Sequence, residues 1–589
     1  MFNNRRTLSA IFSLVMLISQ PTSAASLVNA QASAGTMAAA EAEDYTTGKT
    51  KITQILSDEN LGVAAYNKAH IHYAETQNLA KDLQVNEIAN FFGCKTEIGR
   101  TFIAQTLSCP VKAEDKETVL LARQQAIRTL VENAALREEV GKLLEQAKHE
   151  EQDVIKLMSE FFKGKTCPDL AKLEIVKKQY PAMYPLSEFM IMNPTGKAVG
   201  TALNTISLLS MAALTGYCAK SAYTLSQAGQ PYGFQAGLAA YYGLFLAYVG
   251  YEVNKDYSTA AEKRQKMHAL NQLIAIAQHC ETLCTHNGIK TQFNMSNTHD
   301  AQSAELVKQL QHARYAHKNT VFFNTALVHT FLYRLYQQEK HLAHVFACIA
   351  EMDAYHAIAT KIVESQNSNN RFCFAIFVDA KKPRVITNDF WNVLVKNAVT
   401  SNLTEDRHII LTGPNAGGKT TTIRALLQNI VLGQSFGVAA AQHFEFTMFD
   451  VIHSYLNISD DLINGLSLFA SEVKRAQDIL QKMKSLEQKT KFFFALDELF
   501  TGTVAEDGEA CAYNFVKKIA EFDGVQFVYA THFNKLKELG NDSALCVNYK
   551  VDAPTKNAEG KLVYPYTLSQ GANEARVALD LAREANLFA

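Results

Sequence analysis

Two patterns of apolar spacing divide the chain. Residues 115–163, 255–286 and 300–365 carry apolar side chains at helical spacing against charged faces, as in Leu306, Leu310, Phe322, Leu327 and Phe331. This predicts long amphipathic helices. From about residue 385 the pattern changes. Arg407-His408-Ile409-Ile410-Leu411-Thr412, Lys491-Phe492-Phe493-Phe494-Ala495-Leu496 and Val525-Gln526-Phe527-Val528-Tyr529-Ala530 are short and almost continuously apolar. Strands covered on both faces read this way, so an α/β domain is expected after a long all-α segment.

Two further apolar zones stand apart. Residues 1–25 carry Arg5 and Arg6, an apolar run from Leu8 to Ile18, and small residues after Pro21, in the order of a secretory leader. Residues 26–48, rich in Ala, Ser and Gly, read as a linker. Between Lys197 and Glu252 the only charged residue is Lys220. This zone divides into about 199–219 and 232–251, with Gly229, Gln230 and Pro231 as a turn. Each half has about the length of a bilayer-crossing helix, and Tyr223, Tyr232, Tyr241, Tyr242, Tyr248 and Tyr251 suit an interface. A membrane hairpin at 199–251 is the expectation, with a buried helical hairpin as the alternative. The expected location is membrane-associated with a cytoplasmic nucleotide-binding domain, although the leader points outward.

Composition narrows the class. The 589 residues, at 48% apolar and 20% charged, suit a protein with true cores and room for three or four domains. The formal net charge of -1 argues against coating nucleic acid by charge alone, while leaving a local basic groove open. Ten scattered cysteines form no CxxC pair. Cys280 and Cys284, beside His279, have the spacing of one helical face and read as buried thiols, because no second ligand pair accompanies them.

The candidate chemistry lies in the α/β part. The strand ending at Thr412 runs into Gly413-Pro414-Asn415-Ala416-Gly417-Gly418-Lys419-Thr420, with Thr421 next, and then a helix through Ile423, Leu426, Leu427 and Ile430. This is G-x4-G-K-T in its strand–loop–helix setting. Backbone N–H groups and the helix N-terminus close on phosphates, Lys419 reaches the β and γ phosphates, and Thr420 ligates Mg²⁺. ATP and Mg²⁺ are the expected cofactors. The second strand ends in Asp497-Glu498. Asp497 is expected to hold the metal through water, and Glu498 to orient or deprotonate the attacking water. The third strand ends at Thr531-His532, where His532 is a candidate γ-phosphate sensor. Ser467 precedes a helix as its N-cap.

The ordered set GPNAGGKT, DD…GLSLFASE, FFFALDE, GT…EDG and THF resembles the ATPase domain of the MutS family. The likeness extends more weakly upstream, through Asn86-Glu87-Ile88, Thr96 to Arg100, Arg123 to Ile127 and Glu351-Met352-Asp353-Ala354. The resemblance implies an ABC-type P-loop NTPase at 371–589 after a helical core and lever at 85–370 that carries the apolar hairpin. A leader at 1–25 and an N-terminal segment at 26–84 precede them. It also implies a homodimer in which Ser467 reaches the partner's nucleotide, and DNA as a partner. The pattern departs from the family in places. About 60 residues between leader and helical core leave no room for a mismatch-reading domain and hold no Phe-x-Glu wedge. The apolar hairpin stands where a DNA-gripping clamp is expected, Ala439 replaces a usual Pro, and the C-terminal dimer element is expected to be shortened. Two functions follow: a DNA-associated ATPase, or a membrane-attached ATPase with a non-repair task.

Overall fold

The computed structural model describes residues 76–162, 194–293, 342–414, 416–456, 468–486, 489–542, 544–558 and 561–574, with a few helical positions beyond these. The leader at 1–25 and Ser467 lie outside the described residues. The chain folds as two compact units. One comprises Ser57–Glu145, Ala277–Asn297 and Phe346–Ala589, and the other Met1–Leu56, Gln146–Ile276 and Thr298–Val345.

The chain first forms helices: α1 (Thr76–Leu83), α2 (Val85–Phe92), α3 (Glu97–Ser108), α4 (Leu121–Glu132), α5 (Ala134–Phe162), α6 (Pro194–Gln227), α7 (Gly233–His286) and α8 (Ala343–Ser365). The helical spacing read from the sequence therefore becomes helix wherever those residues are described. α3 begins at Thr96, whose hydroxyl accepts from Gly99 N–H at 3.0 Å and satisfies one of the first turn's orphan donors. The same hydroxyl donates to Asp353 Oδ2 at 2.6 Å, and Thr96 N–H donates to that oxygen at 2.7 Å. One buried carboxylate thus ties α3 to α8.

Sheet structure follows: β1 (Cys373–Phe374), β2 (Ile376–Phe377), β3 (Val385–Phe390), β4 (Ser401–Leu403), β5 (His408–Thr412), α9 (Lys419–Phe436), β6 (Val438–Ala439), β7 (His443–Phe446), β8 (Val451–Tyr455), α10 (Leu468–Ser485), β9 (Phe492–Asp497), α11 (Ala505–Ala520), β10 (Val525–Ala530), α12 (Asn534–Asp542), β11 (Cys546–Val551), β12 (Thr555–Lys556), β13 (Leu562–Val563) and β14 (Leu568–Gln570). The main sheet has the order β14-β11-β5-β10-β9-β8, parallel except for the antiparallel edge strand β14. Every residue of β5 and β10 is buried, which explains why these strands read as continuous apolar runs. Phe494, Leu496, Phe527 and Tyr529 pack in one core with Val516 and Ile519 of α11. A smaller sheet, β2-β7-β3-β4, and the ribbons β1-β6 and β12-β13 complete the larger unit's strands.

Helix α9 is held at its C-terminal end by side chains of the helical layer. Arg123, 1% exposed, donates to Ser435 O at 2.8 Å and to Gln292 Oε1 at 2.8 Å. Gln434 Nε2 donates to Val111 O and Phe449 O, and Ser435 Oγ to Thr106 O. Gly437 caps the helix at φ 70°, and a Cβ there would meet Gln124 at 2.7 Å. Only glycine meets both conditions.

In the other unit, α6 and α7 form the expected hairpin, turned at 228–232 with Gln230 N–H donating to Leu225 O. The expected membrane hairpin at 199–251 is corrected: among the described residues no helix is long and apolar enough to cross a membrane. Thr201, Asn204, Thr205, Ser207, Ser210 and Thr215 dilute the apolar content of α6, and α7 runs unbroken past Tyr251 into Glu252, Lys255 and Asp256.

The larger unit buries imidazoles. His408 stacks on Phe527 with ring centroids 4.4 Å apart, and its Nε2 lies 3.3 Å from Ala520 O. Burial lowers its pKa to about 4, and that of His453 to about 3. A histidine held neutral in the fold takes up protons when the chain unfolds below about pH 6.5, so its stabilisation is present above that pH and is lost as pH falls toward 4. Buried Asp353, raised to about 6 chiefly by desolvation, runs the other way: its contribution is complete below about pH 4 and is lost as pH rises toward 6. The test therefore isolates one group. His408→Phe keeps the ring stack, and its stability relative to the native chain rises by about 2 kcal/mol between pH 7 and pH 5. Denaturant midpoints at the two pH values measure this; a difference that stays constant with pH contradicts it.

Candidate functional site

The loop between β5 and α9 lies at the C-terminal edge of the parallel strands, where open α/β sheets bind ligands. Gly418 adopts φ 101° as it enters α9, a conformation that side-chain-bearing residues rarely take. A Cβ on Gly417 would meet Pro414 Cγ at 2.9 Å. The loop is thus tight enough to turn its N–H groups toward one small volume.

A cleft of about 740 Å³ opens there, lined by Pro414, Ala416, Gly417, Gly418, Lys419, Thr420 and Thr421 together with Asp497 and Glu498. The two motifs read separately in the sequence converge. Thr420 Oγ1 donates to Asp497 Oδ2 at 2.5 Å. Lys419 Nζ donates to Gly413 O at 3.1 Å and lies 3.3 Å from Glu498 Oε1. Asn415 lies outside the described residues. His532 follows β10, is exposed, packs its ring against Phe533, and is not among the residues that line the cleft.

The donor set fits a hard cation and a polyphosphate. Asp497 Oδ1 is buried without a hydrogen-bond partner, while Oδ2 is bound to the Thr420 hydroxyl. A buried carboxylate oxygen left open beside a hydroxyl is the chemistry of an octahedral Mg²⁺ site that also keeps phosphate and water ligands. Desolvation and the neighbouring Glu498 charge hold the Asp497 carboxyl above its usual range, opposed by the Thr420 bond and Lys419.

The turn after β9 is strained. Glu498 has φ 48° and Phe500 φ 72°. Such conformations persist where the surroundings over-determine them. Glu498 N–H donates to Ala530 O at 3.0 Å, and the Tyr529 hydroxyl donates to Leu499 O at 2.8 Å. Fully buried Glu472, on α10, accepts from Thr501 N–H and Gly502 N–H, each at 3.1 Å.

Sequence reading passed over several of these residues. Glu472 sits in a quoted motif but received no role. Phe390, Trp391, Val395, Val399 and Tyr566 form the cleft's apolar wall. Trp391 is the chain's single tryptophan, its indole N–H donates to Arg371 O at 2.8 Å, and that singularity was the available signal. The Cys280–Cys284 reading agrees with the structure: both are buried, and burial pushes the Cys280 thiol up to about 12.

Strand, tight phosphate loop, helix and converging carboxylates define a P-loop NTPase-type domain. The family model of MutS domain V matches residues 409–588. The DNA mismatch repair protein MutS of Streptococcus pyogenes serotype M1 is 30% identical over 178 residues, which are 30% of this chain and 20% of that protein. The MutS proteins of the serotype M5 strain Manfredo and the serotype M49 strain NZ131 match at the same identity and coverage. The chain thus spans about one fifth of the length of these relatives. The likeness to the MutS family is carried by this C-terminal, P-loop ATPase-type domain.

Glu472→Gln leaves one of the two loop N–H groups facing an amide NH₂. The expected loss is about 1–3 kcal/mol of stability, seen as a lower denaturant midpoint; an unchanged midpoint rules out the tether.

Proposed function

We propose that the chain binds ATP with Mg²⁺ in this cleft and hydrolyses it as an ABC-type ATPase of the MutS family. The observation that carries the reading is the meeting of Thr420 Oγ1 and Asp497 Oδ2 beside an open, buried Asp497 Oδ1, with Lys419 and Glu498 next to them. Thr420 and Asp497 would hold the metal. When bound, the metal neutralises phosphate charge. Lys419 leaves Glu498 for the β and γ phosphates, and Glu498, released from that ion pair, orients the attacking water and takes its proton. Gly413 to Gly418 and Thr421 supply backbone N–H donors and turn geometry, and the Phe390–Val399 wall with Tyr566 gives the nucleoside an apolar surface. His532 would sense the γ phosphate.

The working unit in this proposal is a homodimer in which Ser467 completes the partner's site. The proposed organisation is a helical core and lever at 85–370 followed by the ATPase domain at 371–589. DNA is the proposed partner because the relatives are named DNA mismatch repair proteins. The net charge of -1 confines that contact to a local surface.

Turnover by the purified chain is the primary test. Lys419→Ala abolishes nucleotide binding in calorimetry, and undiminished affinity refutes the site. Glu498→Gln binds ATP, loses roughly 10²–10⁴-fold in turnover and accumulates an ATP-dependent dimer in light scattering; normal turnover or a monomer with ATP bound overturns the assigned roles. Duplex DNA binds at low salt and is released steeply as salt rises, as read by anisotropy. Absence of binding at low salt eliminates DNA as the partner.

A further inference from the structure

Helix α7 has one partly covered face, which meets α6 at Gly243, and another face open to solvent. Residues 233–248 and Tyr251 separate the two cleanly. Gln235, Ala236, Leu238, Ala239, Tyr242, Gly243, Phe245 and Leu246 are partly covered, and a Cβ on Gly243 would meet Thr215 of α6 at 3.9 Å. The exposed positions are Gly233, Phe234, Gly237, Ala240, Tyr241, Leu244, Ala247, Tyr248 and Tyr251. Not one of these carries a charge. Phe234, Tyr241, Leu244 and Tyr251 are 76, 62, 74 and 63% exposed.

The spacing of the exposed face is a heptad. Phe234, Tyr241 and Tyr248 recur at every seventh residue, Gly237, Leu244 and Tyr251 follow each by three, and the small residues Gly233, Ala240 and Ala247 precede each by one. A surface helix of a globular protein normally keeps such a stripe for its core. Here the core-type stripe faces outward, as in one strand of a coiled coil before pairing. We propose that it is a self-association surface, occupied by the same segment of a second copy in antiparallel orientation.

Three observations favour a second copy. The stripe is uncharged, and Lys220 is the only charged residue between Lys197 and Glu252, so two copies approach without repulsion and a charged partner would find no counter-charge. The stripe also complements itself. An antiparallel two-fold about the middle of 234–251 sets Phe234 against Tyr251, Tyr241 against Leu244, and Tyr248 against Gly237. Two aromatics then stack at each end, Tyr241 meets the medium-sized Leu244, and Tyr248 fills the space over Gly237, whereas a parallel pair would set Gly237 against Gly237 and leave a void. Finally, the area is sufficient. The exposed stripe offers on the order of 600 Å² per copy, at the upper end of the apolar patch a monomer usually exposes, so pairing buries roughly 1,200 Å², the lower end of a specific interface. This surface is separate from the proposed nucleotide-linked dimer and does not rest on it.

The test uses the full chain, purified without nucleotide, with benzoylphenylalanine in place of Tyr251 or of Tyr241. Mixing ¹⁴N- and ¹⁵N-labelled copies separates crosslinks between chains from those within one. Illumination is expected to join residue 251 to the partner's segment around residue 234, and residue 241 to the segment around residue 244. The same probe at Phe245, on the covered face, is expected to crosslink within its own chain. Leu244→Glu lowers the intercopy yield from position 251 by roughly tenfold or more, because pairing would bury an unmatched charge. Only intrachain products, intercopy products in another register, or lipid adducts when phosphatidylcholine vesicles are present would overturn the proposal.

Discussion

The larger unit is organised around one buried cation. Arg123 places its guanidinium against the C-terminal end of α9, where the last carbonyls have no partner inside the helix, and it donates to Ser435 O. Its Nε and Nη2 also donate to Gln292 Oε1. The N–H groups of Gln292 and Phe293 in turn donate to Glu351, whose carboxylate also accepts from the Tyr355 hydroxyl at 2.6 Å. Burial raises the Glu351 pKa, and these three donors and Arg123 oppose that shift. With Arg123 and Glu351 both buried, removing either one would leave the other's charge uncompensated, so the network tolerates few arrangements other than this one. That arrangement fixes where α4, α8 and α9 meet.

The other end of α9 carries Lys419 and Thr420. An 18-residue helix is about 27 Å long and does not compress, so the Arg123 anchor at one end sets the position of the phosphate loop at the other. Arg424, on the same helix, donates to Asp82 O, and Asp82 Oδ2 accepts from Leu456 N–H, which adds a second tether beside the loop. Asp497 reaches the site by a separate route, through β9, whose register with β10 pairs Asp497 with Ala530. The site is therefore the crossing of two rigid elements. The strained turn at Glu498 and Phe500 is the place where they are adjusted to each other, with Glu472 and Tyr529 holding it.

What the sequence disclosed follows from locality. The phosphate loop, its flanking strand and helix, and the Asp497-Glu498 strand end are contiguous, and each carries its own signal in glycine placement or continuous apolarity. The strands at 408–412, 492–497 and 525–530 lie almost where the pattern put them. The Arg123–Gln292–Glu351 chain was not legible in this way, because its members are 169 and 59 residues apart and each alone reads as an ordinary polar helix residue. The wall from Phe390 to Val399, Tyr566 and the Glu472 tether share that difficulty. The membrane reading of 199–251 failed for another reason. Counting apolar residues overlooks both the Thr, Asn and Ser that dilute α6 and the phase of the apolar positions along α7.

Phase also bears on what the hairpin is built to do. α7 is one continuous helix from Gly233 to His286, but its residues change character at Glu252. Before that point apolar side chains face outward. Farther along, within the same compact unit, Met267, Leu270, Leu273 and Ile274 are buried, and even Lys263 and Lys266 are largely covered. A helix transmits rotation along its axis, so packing in the later half fixes the direction in which Phe234, Tyr241 and Leu244 point. Gly237, Ala240 and Ala247 then lie between those side chains by construction, leaving space into which another helix can settle. The outward stripe is thus a surface of defined direction and shape, which distinguishes it from apolar residues scattered singly over a surface.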